Sequence, residues 1–283
     1  MTTSARNQSQ TDRQPVPQEL AGKVAVITGS AVGIGRGIAL ELAARGADTV
    51  IADLDEANGR KVVSEVEALG RKALFVRTDV TQQDSTDAMV KAALDRFSKI
   101  DILVNNAGVW GAPGWSDRTE ITSQDWDTVF NVNVFGAVHA MRSVEKHMQD
   151  RKSGKIVNIS SVTGRIGMGG SAHYSASKAA EINVTQAYAL RLARFNINVN
   201  SIAPGVLWTP LTEKAMARRA KVQPEIAGMS PRQAFDRVVE DRVPMGREQT
   251  PEDIGKTCAF LVSDRARSIT GQTLNVTGGW QMN

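Results

Sequence analysis

Short runs of apolar residues alternate along the chain with longer amphipathic stretches, from about Lys23 to the C-terminus. The short runs are rich in β-branched side chains, which is typical of buried strands. The stretches between them repeat apolar residues with the period of an α-helix. The pattern predicts strands at 24–27, 49–52, 73–77, 102–104, 156–159, 197–202 and 273–276, and helices at about 35–45, 56–69, 82–97, 123–146, 173–194 and 251–261.

This alternation predicts an α/β fold, in which a parallel sheet of about seven strands carries helices on both faces. Near-continuous apolar strands fit such a sheet because both of its faces are buried. No internal repeat or linker divides the body, so we expect a single doubly wound domain of the Rossmann type over residues 19–283. The segment 209–247 contains no predicted strand and many cations. Because it follows a strand end, we expect it to form a helical lid over the ligand crevice.

The composition excludes several classes of protein. The chain has 283 residues, of which 41% are hydrophobic and 23% charged, as in ordinary globular proteins. The net charge of +4 comes from scattered cations rather than a basic block, which argues against a nucleic-acid partner. No apolar run is long enough for a membrane helix. A single cysteine, Cys258, excludes an internal disulfide and is expected to be buried, and the three histidines lack the carboxylate partners of a metal site.

Residues 1–18 differ in composition from the rest of the chain. They are polar, contain two prolines and lack the apolar core of a secretory signal. We expect a flexible tail. A transit peptide is the alternative, because Arg6 and Arg13 stand among serines and threonines, although Asp12 speaks against it.

A glycine-rich turn follows the first predicted strand and opens the first helix. Gly29 permits a tight turn, and Gly33 and Gly35 leave room where main chain and ligand approach closely. The helix N-terminus would present unpaired N–H groups to a pyrophosphate. A plain strand-to-helix turn is the alternative. Asp53, which stands 18 residues after Gly35 (53 − 35) at the end of the next strand, favours a dinucleotide site.

Asp53 also bears on the choice of cofactor. A carboxylate there can accept the ribose hydroxyls of NAD and would repel the 2′-phosphate of NADP. Neither Val32 nor Leu54 offers a cation to that phosphate, and Arg36 is expected to face solvent. We therefore expect NAD. The alternative role for Asp53, a helix N-cap, suits Asp55 better.

Tyr174 and Lys178 are four residues apart and share one face of a predicted helix. A nearby ammonium stabilises a phenolate, and so lowers a phenol pKa that is ordinarily about 10. Tyr174 can then take a proton from an alcohol, or return it to a ketone, while a nicotinamide exchanges hydride. Ser161, just past the fifth strand, would hold the substrate oxygen near the phenol. Such Tyr–Lys pairs are more often solvated helix faces, so the pair alone is weak evidence.

Further motifs stand in order along the chain: Asn105-Asn106-Ala107-Gly108, Asn133, Pro204-Gly205, Gly271-Gln272 and Gly278-Gly279. Together with the Gly29–Gly35 turn, Ser161, Tyr174 and Lys178, they resemble the short-chain dehydrogenase/reductase family. The resemblance runs from about Leu20 to the C-terminus. It departs from the family at Thr277, where an aspartate is common; that position supports packing.

The resemblance implies a role for each matched residue. Ser161, Tyr174 and Lys178 match the catalytic trio, with Tyr174 as general acid/base and Lys178 also binding the nicotinamide ribose. Asn133, which the spacing favours over Asn131, matches the asparagine that holds a water for proton relay. The residues implied to contact the cofactor, some already singled out above, are Gly29, Gly33, Ile34, Gly35, Asp53, Leu54, Asp79, Val80, Asn106, Ala107, Gly108, Tyr174, Lys178, Pro204, Gly205, Leu207 and Thr209.

Trp110 and Trp208 follow the ends of the fourth and sixth strands, where a substrate would sit. We predict that they wall the substrate beside Ser161. Ordinary loop packing is the alternative, and it is favoured for Trp115.

These observations predict a cytoplasmic NAD-dependent oxidoreductase. It would interconvert a secondary alcohol (a polyol, a sugar or a small diol) and its ketone, and the resemblance implies a homotetramer. Two alternatives stay open. One is a 3-oxoacyl thioester reductase that uses NADPH, which Asp53 and Val32 disfavour. The other is a non-catalytic dinucleotide-binding regulatory protein, which is disfavoured because Asn133, Ser161, Tyr174 and Lys178 are all present.

Overall fold

The computed structural model describes residues 16–282, and most of the tail expected over 1–18 lies outside the described residues. The described chain forms a seven-stranded sheet in the order β3-β2-β1-β4-β5-β6-β7, and every neighbouring pair is parallel. This confirms the predicted single α/β domain. The strands are β1 Val24–Thr28, β2 Asp48–Asp53, β3 Ala73–Arg77, β4 Ile102–Asn105, β5 Gly154–Ile159, β6 Ile197–Pro204 and β7 Thr273–Val276.

Helices cover both faces of the sheet. One layer of buried residues joins the strands to α1, α2 and α9, and the other joins them to α3, α5 and α6. Cys258 of α9 lies in the first layer and is fully buried, as the sequence predicts. The helices are α1 Gly33–Ala44, α2 Glu56–Ala68, α3 Gln83–Phe97, α4 Ser123–Val129, α5 Gly136–Arg151, α6 Ala172–Leu192, α7 Pro210–Val222, α8 Pro231–Arg242 and α9 Pro251–Val262.

The single helix predicted over 123–146 is wrong in one respect. The chain forms α4, then a π-helix over Phe130–Phe135, and then α5. A π-helix bonds each N–H to the carbonyl five residues earlier, so the segment holds an extra residue within the turn. The apolar periodicity hides this, because both helix types bury one face.

The predicted lid consists of α7 and α8, with a short 3₁₀ turn between them. It has a small core of its own around Phe235 and Val239. The lid leaves the body after Leu207 and returns at Gln249, and these two residues form an isolated parallel bridge. The Gln249 N–H also donates to the Val206 carbonyl at 3.0 Å, so the two ends of the lid are held together.

The remaining expectations concern the start of the body, membrane spans and metals. Gln18 donates to the Ala44 carbonyl at the end of α1, so contact with the body already begins one residue before the predicted boundary. No helix among residues 16–282 combines the length and the hydropathy that crossing a bilayer requires. Within the same range, no three His, Cys, Asp or Glu side chains are grouped so that they could hold a metal ion.

Candidate active site

A cavity of about 400 Å³ lies at the carboxyl ends of the strands, around the boundary between β1 and β4. Successive strands are added to one side of β1 up to β3, and to its other side from β4 onwards. Parallel sheets bind ligands at this edge. All the residues predicted to contact a cofactor line the cavity except Gly35, which is buried behind the turn, and Trp110 and Ser161 line it as well. Lining residues that the sequence did not single out for the site are Thr78, Val109, Val132, Ile159, Ser160, Pro210, Leu211 and Thr212.

The turn between β1 and α1 depends on its glycines. Gly29 and Gly33 have φ of +62° and +58°, in the left-handed region that favours glycine. A Cβ on Gly35 would run into the Gly29 carbonyl oxygen and into Asn106 Nδ2. Asn106 Nδ2 donates to the carbonyls of Thr28 and Gly29, at 3.0 and 2.7 Å, so it holds the turn close to β4. The turn places Gly33 and Ile34, the first residues of α1, in the lining of the cavity, where a helix N-terminus can bind a pyrophosphate.

Asp53 ends β2 beside this turn. Its Oδ2 accepts the Ala31 N–H at 2.8 Å and its Oδ1 accepts the Asp55 N–H at 3.0 Å, so the carboxylate is fixed in orientation. The cap of α2 is Asp55, which accepts the Asn58 N–H, as the sequence suggested. Arg36 forms an ion pair with Glu65 at 2.7 Å and is not directed at the cavity. Arg77 of β3 is the register partner of Asp53. The Asp53 carboxylate itself fits an unphosphorylated adenosine ribose.

Thr209 closes the cavity from the lid side. It is the N-cap of α7 and accepts the Thr212 N–H at 3.2 Å. Its side chain lies 3.6 Å from the position that a Cβ on Gly33 would occupy. The lid therefore begins directly opposite the glycine turn, and both Gly33 and Thr209 line the cavity.

Tyr174 lies at the other end of the cavity, on the first turns of α6. Ser161, which follows β5, lies near the Tyr174 hydroxyl and acts to lower the pKa of Tyr174. Ser161 Oγ is held in turn by the N–H of Thr163 at 3.2 Å. Lys178, one helical turn further on, places Nζ 5.9 Å from the centre of the Tyr174 ring. The structure thus brings the three residues predicted to do the chemistry into one cluster.

The surroundings of Tyr174 oppose the low pKa that the sequence analysis expects for its phenol. Burial raises the pKa of Tyr174 above its ordinary value, because desolvation disfavours the phenolate. The positive charge of Lys178 acts in the predicted direction and lowers the pKa, but the negative charge of Glu181 opposes it. The net direction is upwards, so the phenol of this structure is protonated at neutral pH and suited to donate a proton.

Glu181 is the group that the sequence analysis missed. It is 2% exposed, and its Oε2 accepts a hydrogen bond from Lys178 Nζ at 2.7 Å. Lys178 also donates to the Ile159 carbonyl at 2.8 Å. The sequence contained a signal for this pair, because Lys178 and Glu181 are three residues apart and such residues share a helix face.

Asn133 is fully buried in the π-helix and holds the loop after β4. Its Oδ1 accepts the Val109 N–H at 2.8 Å, and its Nδ2 donates to the Val109 carbonyl and to Ser177 Oγ, both at 3.0 Å. The side chain is thus occupied by protein groups and does not line the cavity. The water relay implied for Asn133 stays a prediction.

Trp110 stacks on Tyr174, with ring centroids 4.4 Å apart and an angle of 24° between the planes. His173 fixes it there, by donating from Nε2 to the Trp110 carbonyl at 2.7 Å. Trp208 instead packs edge-on against Phe235 in the core of the lid, and does not line the cavity. Its position therefore supports the loop-packing alternative. Trp115 is buried against Trp110, as favoured for it.

Two arginines join the loops around Trp110. Arg118 pairs with the buried Asp125 at 2.7 Å, which fixes the loop after β4 to α4. Arg218 of α7 is 5% exposed and donates to the carbonyls of Arg118 and Thr119, at 3.0 and 2.7 Å. It also donates to the Gly170 carbonyl at 3.3 Å, before α6. The lid is thus tied to both loops that border the catalytic end.

Comparison with known proteins places this geometry among oxidoreductases. A family profile described as enoyl-(acyl carrier protein) reductase matches residues 29–281. Galactitol 2-dehydrogenase of Agrobacterium fabrum is 41% identical over 261 residues, 92% of this chain and 98% of the relative. The 3-oxoacyl-(acyl-carrier-protein) reductase FabG of Thermotoga maritima is 36% identical, with 92% and 98% covered. A crystal structure of NAD⁺-bound xylitol dehydrogenase superposes with a TM-score of 0.85 at 33% identity, covering 92% of this chain and 99% of that one.

Proposed function

The chain belongs to the short-chain dehydrogenase/reductase family and is an oxidoreductase acting on CH–OH groups, and on that premise we propose that it interconverts a neutral secondary alcohol and its ketone with NAD(H). The observation that carries the proposal is that Tyr174, Ser161 and Lys178 line the same cavity as Asp53 and the glycine turn. The tyrosine that would exchange the proton and the glycine turn thus line one cavity.

Each catalytic residue has a part that its contacts support. Bound NAD(H) supplies the hydride acceptor or donor. Ser161 Oγ holds the substrate oxygen beside the phenol. Tyr174 takes the hydroxyl proton in oxidation and returns a proton to the carbonyl oxygen in reduction. Lys178 has one N–H left after its bonds to Ile159 and Glu181, with which it would hold the nicotinamide ribose, and its charge stabilises the phenolate.

The fixed carboxylate of Asp53 supports NAD over NADP. Both of its oxygens already accept main-chain N–H groups on one side, which leaves their remaining lone pairs for the two ribose hydroxyls. A 2′-phosphate would meet this negative charge, and Arg36 is already paired with Glu65. The NAD⁺-bound xylitol dehydrogenase neighbour points the same way.

The catalytic end of the cavity supports a neutral substrate. Of the described residues that line the cavity, Lys178 is the only cation, and it is already held by Glu181. Ser161 and Tyr174 can hydrogen-bond hydroxyl groups there, and Trp110 covers carbon. A polyol or small diol meets these requirements, and the 41% identical relative is a galactitol dehydrogenase.

A 3-oxoacyl thioester reductase that uses NADPH is the second candidate. It is favoured by the 36% identity to FabG and by the matching family profile. The two candidates differ in cofactor as well as substrate, which makes them separable in one assay.

The test measures nicotinamide absorbance with purified protein, NAD or NADP, and a panel of polyols, diols and sugars. The reverse assay uses NADH or NADPH with ketones and a 3-oxoacyl thioester. We expect oxidation of a polyol or diol, with kcat/KM at least about tenfold higher for NAD than for NADP, a difference of about 1.4 kcal/mol. Turnover of the thioester with NADPH, and of no alcohol with NAD, would establish the second candidate instead.

We further propose that the enzyme is a homotetramer located in the cytoplasm. The helix region around Asn133 and Tyr174 that the family pairs between subunits carries large exposed apolar side chains: Trp126, Phe135 and Leu190. Light scattering coupled to gel filtration tests the subunit number.

A further inference from the structure

A buried ion pair lies directly behind the proton-exchanging tyrosine. Lys178 and Glu181 are 3% and 2% exposed, and their Nζ and Oε2 atoms are 2.7 Å apart. The motif Tyr174 with Lys178 does not require an acid at this place. A buried carboxylate is costly unless it is paired, so its presence calls for a function.

The three groups occupy one face of α6. Tyr174, Lys178 and Glu181 follow one another at spacings of four and three residues, which amounts to two turns. The ammonium therefore stands between a phenol and a carboxylate. Of its three N–H groups, one goes to Glu181 and one to the Ile159 carbonyl, and one remains for ligand or phenol.

This arrangement changes what the lysine does for the tyrosine. A lone ammonium would attract the phenolate strongly in a medium of low dielectric. Paired with Glu181, it presents a dipole whose negative end opposes the phenolate. The two charges act on Tyr174 in opposite directions: Lys178 lowers the pKa of Tyr174 and Glu181 raises it.

Among the described residues, no charged side chain besides Lys178 faces Glu181. The side chains that continue the polar column towards β5 and β4 are neutral: Thr185, Asn158 and Asn105 are joined by hydrogen bonds of 2.9 and 2.8 Å. On the α4 side, Asp125 acts on His173 but not on Glu181 or Lys178.

We propose that Glu181 is a positioning residue that fixes the Lys178 ammonium and keeps Tyr174 protonated to higher pH than Lys178 alone would allow. This inference rests on the proposed alcohol–ketone chemistry for its effect on turnover. The effect of Glu181 on the ionisation of Tyr174 needs no substrate and does not depend on that chemistry. The enzyme is thereby biased towards proton donation, which is the step of ketone reduction, and oxidation of an alcohol requires a more alkaline solution.

The first test follows Tyr174 without any substrate. The chain has two tyrosines, Tyr174 and Tyr188, so a Tyr188→Phe background leaves a single phenol. With ζ-¹³C-tyrosine, the ring signal reports ionisation as pH rises, and circular dichroism shows where the fold is lost. We expect the Tyr174 phenol to ionise about one pH unit or more lower in Glu181→Gln than in the parent, because the substitution keeps the shape of the side chain and removes its charge.

Glu145→Gln is the matched control. Glu145 is also buried and paired with an arginine, Arg191 at 2.7 Å, but it lies on α5 away from the cavity. It should leave the titration of Tyr174 where the parent has it. If Glu181→Gln does not fold, Glu181→Met removes the same charge at similar volume. A charge-free variant whose phenol ionises at the parent's pH, or above it, overturns the proposal.

The second test uses the pH dependence of kcat/KM for alcohol oxidation. In Glu181→Gln, the acidic limb should move to lower pH by about one unit, because the phenolate forms more readily. A uniform loss of activity with an unmoved limb would show a merely structural role and overturn the inference. If no alcohol is oxidised at all, the proposed function fails, while the ¹³C titration still decides the role of Glu181.

Discussion

Many side chains around the cavity bind main chain rather than open towards a ligand. Asn133 holds Val109, Asn106 holds the glycine turn, and His173 holds Trp110. Each of these bonds fixes a loop that carries a lining residue. Their residue types were visible in the sequence, but their partners were not, because those partners are brought close only by the order of the strands.

Replacement of Tyr174 by Phe isolates its proton-transfer role. The variant lacks only the hydroxyl, so the Trp110 stack and the cofactor groove should persist. We expect kcat to fall by about 10²- to 10⁴-fold, with the NAD dissociation constant nearly unchanged. Tyr188→Phe, which removes the other phenol from the same helix, is the control. Normal turnover by Tyr174→Phe would exclude this residue as the general acid/base.

Asp125 stabilises the loop that carries Trp110. Although burial opposes its ionisation, hydrogen bonds from Thr122, from the Ala112 N–H and from Arg118 lower the pKa of Asp125 from 3.8 to about 2. A carboxyl whose pKa is depressed by folding stabilises the fold above its unfolded pKa, and this stability is lost as pH falls from about 4 towards 2.

Asp125→Asn should therefore lower the free energy of unfolding at pH 7 by about 2 kcal/mol. Urea denaturation at several pH values measures this, and the gap to the parent should narrow below pH 4. Asp127→Asn, on the exposed side of the same helix, should change stability by less than about 0.5 kcal/mol. Equal effects of the two substitutions would argue against the burial of Asp125.

At the scale of elements, the strands and most helices follow from the sequence, because continuous apolar runs and amphipathic periods are local signals. The interruption of the predicted 123–146 helix has no such local signal. The π-helix over Phe130–Phe135 turns Asn133 towards Val109, and that contact comes from the loop after β4. The placement of the Trp208 side chain could not be predicted from local sequence either, because it depends on how α8 packs against the start of α7.

The turn between β1 and α1 should tolerate no added side chain at Gly35. Gly35→Ala places a Cβ against the Gly29 carbonyl and the Asn106 amide. We expect a loss of about 1–3 kcal/mol in stability and weaker NAD binding, since the turn must open to relieve the overlap. Gly167→Ala, where nothing lies within 4 Å, is the control. Thermal unfolding and NAD titration measure both effects, and parent-like values for Gly35→Ala would contradict the close packing of the turn.

At the scale of the whole molecule, the cavity collects residues from both halves of the sheet. The glycine turn, Asp53 and Asp79 come from the β1–β3 half, and the catalytic residues come from loops and helices of the β4–β7 half. The alternating pattern of the sequence was enough to predict this edge as the site, because parallel strands end together there. The shape of the lid could not be predicted, since its few apolar residues form a core with each other and with Val206, Trp208 and Trp280, which precede or follow the lid.

Because a dinucleotide would span both halves, its binding should stabilise the entire fold. At about 100 times its dissociation constant, NAD should add about 2.7 kcal/mol, which corresponds to a rise in Tm of roughly 5–10 °C for a chain of this size. NADP at the same concentration should raise Tm less, and Asp53→Asn should reduce the difference between the two. A larger shift with NADP than with NAD would refute the assignment of the cofactor.

The paired ends of the lid have a consequence for how this enzyme could change its substrate. Leu207 and Gln249 lie side by side, so the residues between them form an insert that leaves and re-enters at one point of the scaffold. Such an insert can be lengthened, shortened or exchanged with a homologous one without moving a strand. A chimera that grafts a foreign segment between these two positions should keep the cofactor and acquire the donor's choice of alcohol.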